Sequence, residues 1–364
     1  MPATKKAYRA PDFDGPPLAD APAATFQGLE GDGVLPRGFF STSNLPTYVR
    51  LESGWVMPSR PRMDCVILRR GDSLEIVEPR KLKAGDPIAV GLAEDGSEGI
   101  YVHTEGFLTG ARSANEFRFM STVVSRERPV DYEVLARRLV EERDRGGYLL
   151  WVTGPALVHS RARNDFEWFI RNGFAQAVLA GNAVAVHDLE SALFGTSLGM
   201  SDSGENAEGG HGLHMRAINT IRRAGSIQAA VASGEVTSGI MHALVTEGIP
   251  YVLAGSIRDD GPLPGVITDV LAAQDAMREH TVRATGAIFV ATALHAIAVG
   301  NMLPAFHTHY GGVPSELMTI CVDQTEFVVS KLRDRGTHQA YGVVTNAQDF
   351  MHVLRRFTEE CLPN

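Results

Sequence analysis

Polar residues that could do chemistry follow four apolar runs of the sequence, each at the point where the run ends. They are Asn182, the turn 256–261, residues 292–295 and Asp323. An acidic residue at the end of a strand can hydrogen-bond the ribose hydroxyls of a dinucleotide, which favours NAD over NADP. The fingerprint G-x-G-x-x-G is absent, so the alternative that Asp323 only caps the following helix stays open. Four such strand ends in one sheet favour a cofactor site.

Three further residues stand in polar clusters or loops that could carry chemistry. Asp260 stands beside Asp259 in a turn closed by Gly261, and a carboxylate held in this way could take or orient a proton on a substrate amine. His211 lies in a glycine-rich loop ahead of a predicted helix, which could cradle an anion or be a flexible connection. Cys65 ends a polar cluster that also contains Arg60, Arg62 and Asp64, and it leads into an apolar strand. The alternative to a chemical role is that Cys65 is an inert buried thiol. Metal-like spacing of ligands is missing around these residues, so we predict no metal site.

Composition excludes several classes of protein. The chain has 364 residues, with 34 basic and 43 acidic side chains and a net charge of −9, and 44% of its residues are hydrophobic. It can therefore build a core, and it lacks the basic footprint of a nucleic-acid binder. Three cysteines are too few for a disulfide framework, and neither a membrane-length apolar run nor a signal peptide is visible. We expect a cytoplasmic protein without nucleic-acid or membrane partners.

The elements that must position these residues fall into three regions. Residues 1–29 predict a flexible or extended arm, residues 30–128 a β-rich subdomain, and residues 129–364 an alternation of strands and helices. The alternation predicts an α/β fold with a doubly wound parallel sheet. Its predicted strands are 148–154, 175–182, 250–255, 287–291, 318–323 and 340–346. Its predicted helices are 130–145, 214–223, 267–279, 326–333 and 348–358.

Long matching strings make the chain similar to a known family. They include Arg62-Met-Asp-Cys-Val66, Leu179-Ala-Gly-Asn-Ala-Val-Ala-Val-His-Asp188 and Leu253-Ala-Gly-Ser-Ile-Arg-Asp-Asp-Gly-Pro-Leu-Pro264. These resemble the archaeal and cyanobacterial ornithine cyclodeaminase family, also called lysine-ketoglutarate reductase/saccharopine dehydrogenase-like proteins, over about nine-tenths of the chain. The resemblance implies that the doubly wound sheet is a Rossmann-like NAD-binding domain, and that the protein converts L-ornithine to L-proline with release of ammonia. In that reaction a hydride leaves the substrate Cα, the δ-amine closes the ring, and the hydride returns.

The resemblance also implies site residues. Cofactor contacts would fall on Asn182, Ala183, Asp260, Thr292, Ala293, Leu294, His295, Asp323, Asn346 and Ala347. The candidates for catalysis are Asp260, His211 and Cys65. The implied partner is a small amino-acid substrate, and a homo-oligomer is the default expectation.

The chain departs from the family at several places. We expect it to lack the family's N-terminal α/β subdomain, and Asn346 stands where the family has Asp. We expect the segment 306–316 to be longer than its counterpart in the family and to adjoin the cofactor edge. Two alternatives therefore stay open. One is an NAD-dependent amino-acid dehydrogenase or imine-forming enzyme, and the other is a non-catalytic NAD-binding regulatory protein.

Overall fold

The computed structural model describes residues 8–107, 130–201, 210–259, 261–325 and 340–362. The β-rich region comprises β1 (Thr25–Gly28), β2 (Thr47–Leu51), β3 (Gly54–Val56), β4 (Val66–Arg70), β5 (Ser73–Val77), β6 (Pro87–Val90) and β7 (Ile100–Val102). Two antiparallel sheets, ordered β1-β6-β4-β5 and β3-β2-β7, share a core that includes Val49, Cys65 and Ile67. The described part of the expected arm lies against this region, because Thr25–Gly28 pairs with β6 and the Tyr8 and Tyr48 hydroxyls are 2.7 Å apart.

The second region alternates strands and helices. Its strands are β8 (Leu149–Thr153), β9 (Ala177–Gly181), β10 (Thr196–Ser197), β11 (Met200–Ser201), β12 (Tyr251–Ala254), β13 (Gly286–Val290), β14 (Phe306–His307), β15 (Ser315–Glu316), β16 (Met318–Asp323) and β17 (Ala340–Val344). Its helices are α1 (Tyr132–Asp144), α2 (Ala156–His159), α3 (Arg163–Arg171), α4 (Asn182–Phe194), α5 (Leu213–Ala224), α6 (Ile227–Ala232), α7 (Ile240–Thr246), α8 (Val270–Thr281), α9 (Leu294–Met302) and α10 (Ala347–Cys361).

Six of these strands form one parallel sheet in the order β12-β9-β8-β13-β16-β17. Counted along the chain this order is 3-2-1-4-5-6, the Rossmann arrangement, so the predicted fold class is confirmed. Alternate strand residues enter two different cores: Leu149 and Trp151 of β8 join one, and Leu150 and Val152 join the other. The sheet is buried on both faces, which explains why its strands are continuous apolar runs.

The segment 306–316 lies at the amino edge of the parallel sheet, whereas we expected it at the cofactor edge. It connects the end of α9 to the beginning of β16, and α9 itself begins just beyond the carboxyl end of β13. A helix that follows a parallel strand carries the chain back across the sheet, so this connection falls at the amino edge. The prediction that residues 306–316 adjoin the cofactor edge was wrong.

Arg278 joins the β-rich region to the layer of α8 and α9. Its side chain is 3% exposed, donates 2.7 Å hydrogen bonds to the carbonyls of Arg60 and Met302, and thereby fixes the β3–β4 connection against the helices. Arg80 adds a 2.6 Å ion pair with Asp275 on α8. The β-rich region therefore covers this helical layer. No helix within the described residues is long and apolar enough to span a bilayer.

Candidate functional site

The carboxyl ends of β8 and β13 meet at the point where the strand order reverses, the usual ligand-binding crevice of such sheets. Gly154 follows β8, and its N–H donates to the carbonyl of Val290 at 3.0 Å. A Cβ at position 154 would overlap the carbonyl of Ala291. Ala291 itself has a φ of 57°, a backbone conformation that L residues rarely adopt. The two strand ends therefore approach so closely that only glycine fits at 154.

Two helix N-termini converge beside this crossing. α4 begins after Gly181 and α9 begins after Ala293, and neither of these residues has a side-chain acceptor to cap the helix. A Cβ added to Gly181 would lie 2.9 Å from Cε1 of His295, in the first turn of α9, so the two helix ends are close together. Uncapped N-terminal N–H groups bind anions. This part of the edge is suited to a phosphate or carboxylate.

Two other helices that begin at this edge have side-chain caps. Asp269 caps α8 through a 2.7 Å bond to the N–H of Ala272, and Asn346 caps α10 through a 2.8 Å bond to the N–H of Asp349. Asn346 also donates its amide N–H to the Asp349 carboxylate at 2.7 Å. Both polar atoms of this predicted cofactor residue are thus committed to the cap. The adjacent Ala347 is 5% exposed.

His295 is the titratable side chain at the convergence. Burial lowers the pKa of its imidazole below the ordinary value, so the ring is neutral near pH 7. A neutral imidazole can accept a proton from a bound ammonium group. Of the other predicted residues on α9 and the turn before it, Thr292 is half-buried, whereas Ala293 and Leu294 are exposed.

Asn182 holds the turn that follows β12. Its amide N–H group donates to Asp259 Oδ1 at 3.2 Å, and its carbonyl oxygen accepts the N–H of Leu263 at 3.1 Å. Asp259 also accepts the N–H of Ser256 at 2.7 Å through Oδ2. The side chain of Asn182 is therefore a positioning group that fixes a carboxylate at the edge. The predicted residue Asp260 lies outside the described residues, and Ala183 is half-buried in the first turn of α4.

Asp323 ends β16 on the far side of the crossing. Its Oδ1 accepts hydrogen bonds from the backbone N–H and the hydroxyl of Thr325, at 2.9 and 2.8 Å. One oxygen therefore stabilises the turn, and the ribose interpretation requires the other oxygen, Oδ2. Helix 326–333, which would test the capping alternative, lies outside the described residues.

The structure does not bring His211 to this edge. Gly199 closely approaches Gly210, which precedes His211, and Gly199 follows the C-terminal end of α4. α4 has 13 residues and so extends about 20 Å from Asn182. His211 is therefore roughly one helix length from the uncapped N-termini.

Cys65 lies in the core between the two antiparallel sheets. It is 2% exposed, and burial raises the pKa of its thiol to about 11. A nucleophilic cysteine needs a lowered pKa and access to substrate. The position favours the inert, packing alternative that the sequence left open.

Sequence reasoning missed the two uncapped helix N-termini, because neither α4 nor α9 was predicted. The available signal was weak: helix-compatible residues follow the predicted strands 175–182 and 287–291, and the residues directly before α4 and α9 in the structure, Gly181 and Ala293, are not among the usual capping residues Ser, Thr, Asp and Asn.

Comparison with known proteins places the chain in a family. Residues 133–354 match the family described as "Arginine dihydrolase ArgZ-like, C-terminal, Rossmann fold", and residues 46–134 match the first region of the same C-terminal part. An ornithine cyclodeaminase of Methanopyrus kandleri is 42% identical over 329 residues, which are 89% of this chain and 75% of the relative.

Two solved structures are similar over nearly the whole chain. A LOR/SDH protein from Methanococcus maripaludis S2 has a TM-score of 0.84 and 38% identity, covering 93% of this chain and 99% of that one. The ternary complex of AgrE with ornithine and NAD⁺ has a TM-score of 0.58 and 35% identity, covering 94% of this chain and 47% of AgrE. In Nostoc, AgrE is a bifunctional arginine dihydrolase/ornithine cyclodeaminase. The sequence resemblance is confirmed, and the chain belongs to the ornithine cyclodeaminase family.

Proposed function

We propose that this protein is an NAD-dependent cyclodeaminase that converts L-ornithine, or a close diamino acid, to L-proline or its cyclic homologue and ammonia. One observation carries the proposal: two uncapped helix N-termini and the neutral imidazole of His295 converge at the switch point of a Rossmann sheet. The AgrE complex with ornithine and NAD⁺, at 35% identity, supports the choice of ligands. The expected homo-oligomer and cytoplasmic location stay predictions.

The residues of the carboxyl edge fit NAD. Gly154 leaves no side chain above the crossing of β8 and β13, where a dinucleotide lies in this fold. The N–H groups at the beginning of α4 and α9 would hold anionic groups, and Asp323 would bond a ribose hydroxyl. NAD supplies, when bound, the acceptance of a hydride and its return.

The protein's own groups would bind the substrate and manage protons. His295 would take a proton from a substrate ammonium group, because only a neutral amine can attack carbon or lose a hydride from its Cα. The carboxylate of Asp259, fixed by Asn182 and Ser256, would bind the second amine of a diamino acid. Holding both amines at one edge favours ring closure over release of an open-chain imine.

Incubation with ornithine and a small amount of NAD tests the function. Proline and ammonia should form in equal amounts, with no net accumulation of NADH. Accumulation of NADH with ornithine or another amino acid would instead identify a dehydrogenase. A protein that binds NAD and turns over none of a panel of amino acids would be a binding protein, and the proposal would fail.

Replacing Asp323 with alanine should weaken NAD binding. A hydrogen bond to a charged group contributes about 1.5–3 kcal/mol, so the dissociation constant measured by calorimetry should rise by about 10- to 150-fold. Thr325→Val is the matched control, because it removes one bond of the turn and keeps the carboxylate. If Asp323→Ala binds NAD like the parent, or if the control is equally impaired, Asp323 does not contact the ribose.

Replacing Cys65 with alanine should leave turnover within about twofold of the parent, since the thiol is buried in the β-rich core. The free energy of unfolding should fall by about 1 kcal/mol, less than the 2–5 kcal/mol of a Leu→Ala change, because only one atom is removed. Steady-state kinetics and urea unfolding measure the two effects. A hundredfold loss of turnover with unchanged stability would make Cys65 a catalytic residue.

A further inference from the structure

A second cleft lies at the amino edge of the parallel sheet, opposite the proposed NAD site. Its volume is about 590 Å³, within the range of small-molecule sites. Tyr148, Gln176 and Pro250 line it immediately before β8, β9 and β12, and Arg283 lines it just ahead of β13. β13 has five residues, so about 17 Å of strand separates this cleft from the carboxyl edge. A ligand here would not overlap the NAD site.

Two arginine side chains lie at or beside the cleft. The guanidinium of Arg283 lies 4.2 Å from the ring centre of Tyr148, and stacking of this kind holds a long side chain in place. Arg145, next to the lining residue Gly146, stacks in the same way on Tyr310 at 4.7 Å. None of the described residues that line the cleft is acidic. The nearby Glu142 carboxylate accepts the Tyr310 hydroxyl at 2.6 Å.

The segment 306–316 also lines the cleft. Its strands β14 and β15 pair with each other, Phe306 is 1% exposed, and the N–H of Ala305 donates to the carbonyl of Asn44 at 2.9 Å. This anchored hairpin presents His307, Thr308 and His309 to the cleft. Imidazole and hydroxyl groups beside an arginine are typical ligands of phosphate and carboxylate.

Other lining groups indicate the body of the ligand. Ile249, Pro250 and Val282 form an apolar wall. Gln176 is committed to the protein, because its amide accepts the N–H of Leu149 and donates to the carbonyl of Gly173, both at 2.8 Å. Specific recognition of a ligand therefore depends on Arg283 and the imidazole groups of the hairpin. The apolar wall would contribute only nonspecific contact.

We propose that this amino-edge cleft is a second ligand site, which binds a compact organic dianion, either a phosphate ester or a dicarboxylate, through Arg283 and the hairpin 306–316. The site is separate from the cofactor edge, so the proposal does not depend on the proposed function. It assigns a role to the segment 306–316, which we expect to be longer than its counterpart in the family.

Calorimetric titration of the full chain, saturated with NAD, tests the proposal with two probes: inorganic phosphate and succinate, each at an ionic strength matched with sodium chloride. We expect saturable binding of at least one probe, and Arg283→Gln should raise its dissociation constant tenfold or more. His309→Ala should weaken the same probe. The matched control is Arg356→Gln, because Arg356 is an exposed arginine on α10, with 76% of its side chain accessible, and should bind the probe like the parent.

The two probes separate the possible sources of the anion. Binding of phosphate alone indicates a phosphate ester, and binding of succinate alone indicates a dicarboxylate. If neither probe saturates, or if Arg283→Gln binds as tightly as the Arg356→Gln control, the site does not exist as proposed. A melting temperature for Arg283→Gln equal to that of the parent shows that a loss of binding is local.

Discussion

We expect Gly154→Ala to abolish NAD binding, with a dissociation constant raised at least a hundredfold. The added Cβ would overlap the carbonyl of Ala291, so the ends of β8 and β13 would have to separate. Such overpacking of a tight crossing costs about 1–3 kcal/mol or more in stability. The N–H of Gly154 would also lose its 3.0 Å hydrogen bond to the carbonyl of Val290, which joins the ends of β8 and β13. Calorimetric NAD titration and urea unfolding measure the two consequences.

Gly212→Ala is the matched control for this substitution. Gly212 has a φ of −97°, and an added Cβ there would meet no atom within 4 Å. The control variant should keep the stability and the NAD affinity of the parent. NAD binding by Gly154→Ala at parental strength would mean that the cofactor does not use this crossing.

The second large effect is expected at Asn182. Asn182→Leu keeps the branching and the number of side-chain heavy atoms but removes both hydrogen bonds that fix the turn after β12, those to Asp259 and Leu263. Leaving a buried N–H unsatisfied costs about 1–3 kcal/mol, and releasing Asp259 removes the fixed carboxylate from the edge. We expect kcat/KM for ornithine to fall a hundredfold or more, mainly because a misplaced group loses its effect on the reacting atoms.

Two comparisons make the Asn182 experiment decisive. Asn182→Asp keeps an acceptor for the N–H of Leu263 but places a second carboxylate against Asp259, so it should be impaired as well. Asn172→Leu changes an exposed asparagine at the end of α3 and should have parental kinetics. Parental kcat/KM in Asn182→Leu would show that the turn does not position a catalytic group.

The parallel strands were predictable because each is an apolar run bounded by turn residues. β16, for example, has the predicted bounds, Met318–Asp323. α4 could not be predicted from periodicity, since eight of its residues are buried, including the polar Asn182, His187, Asp188 and Glu190. The buried carboxylate of Asp188 finds its hydrogen-bond partners only in the tertiary fold. Arg163 and the N–H groups of Ile240 and Met241 all donate to its oxygens at 2.9 Å or less. A helix with no exposed face has no amphipathic signal.

The location of the site was predictable to a larger extent than the roles of its residues. Asn182 and Asp323 do lie beyond the carboxyl ends of parallel strands. The sequence could not show that the amides of Asn182 and Asn346 are used by the protein itself, because their partners are fixed by loop and cap geometry. Nor could it place His211 at the distant end of α4, because α4 was not predicted as a helix.

Doubly labelled ornithine, with deuterium at Cα and ¹⁵N in the α-amine, tests the proposed reaction most directly. If the hydride leaves Cα and returns to the same carbon, the proline formed retains deuterium at Cα, and the ¹⁵N appears in ammonia while the ring keeps the unlabelled δ-nitrogen. Mass spectrometry of both products measures this. Deuterium lost to water, deuterium accumulating in reduced NAD, or ¹⁵N retained in proline would contradict the proposed cyclodeaminase.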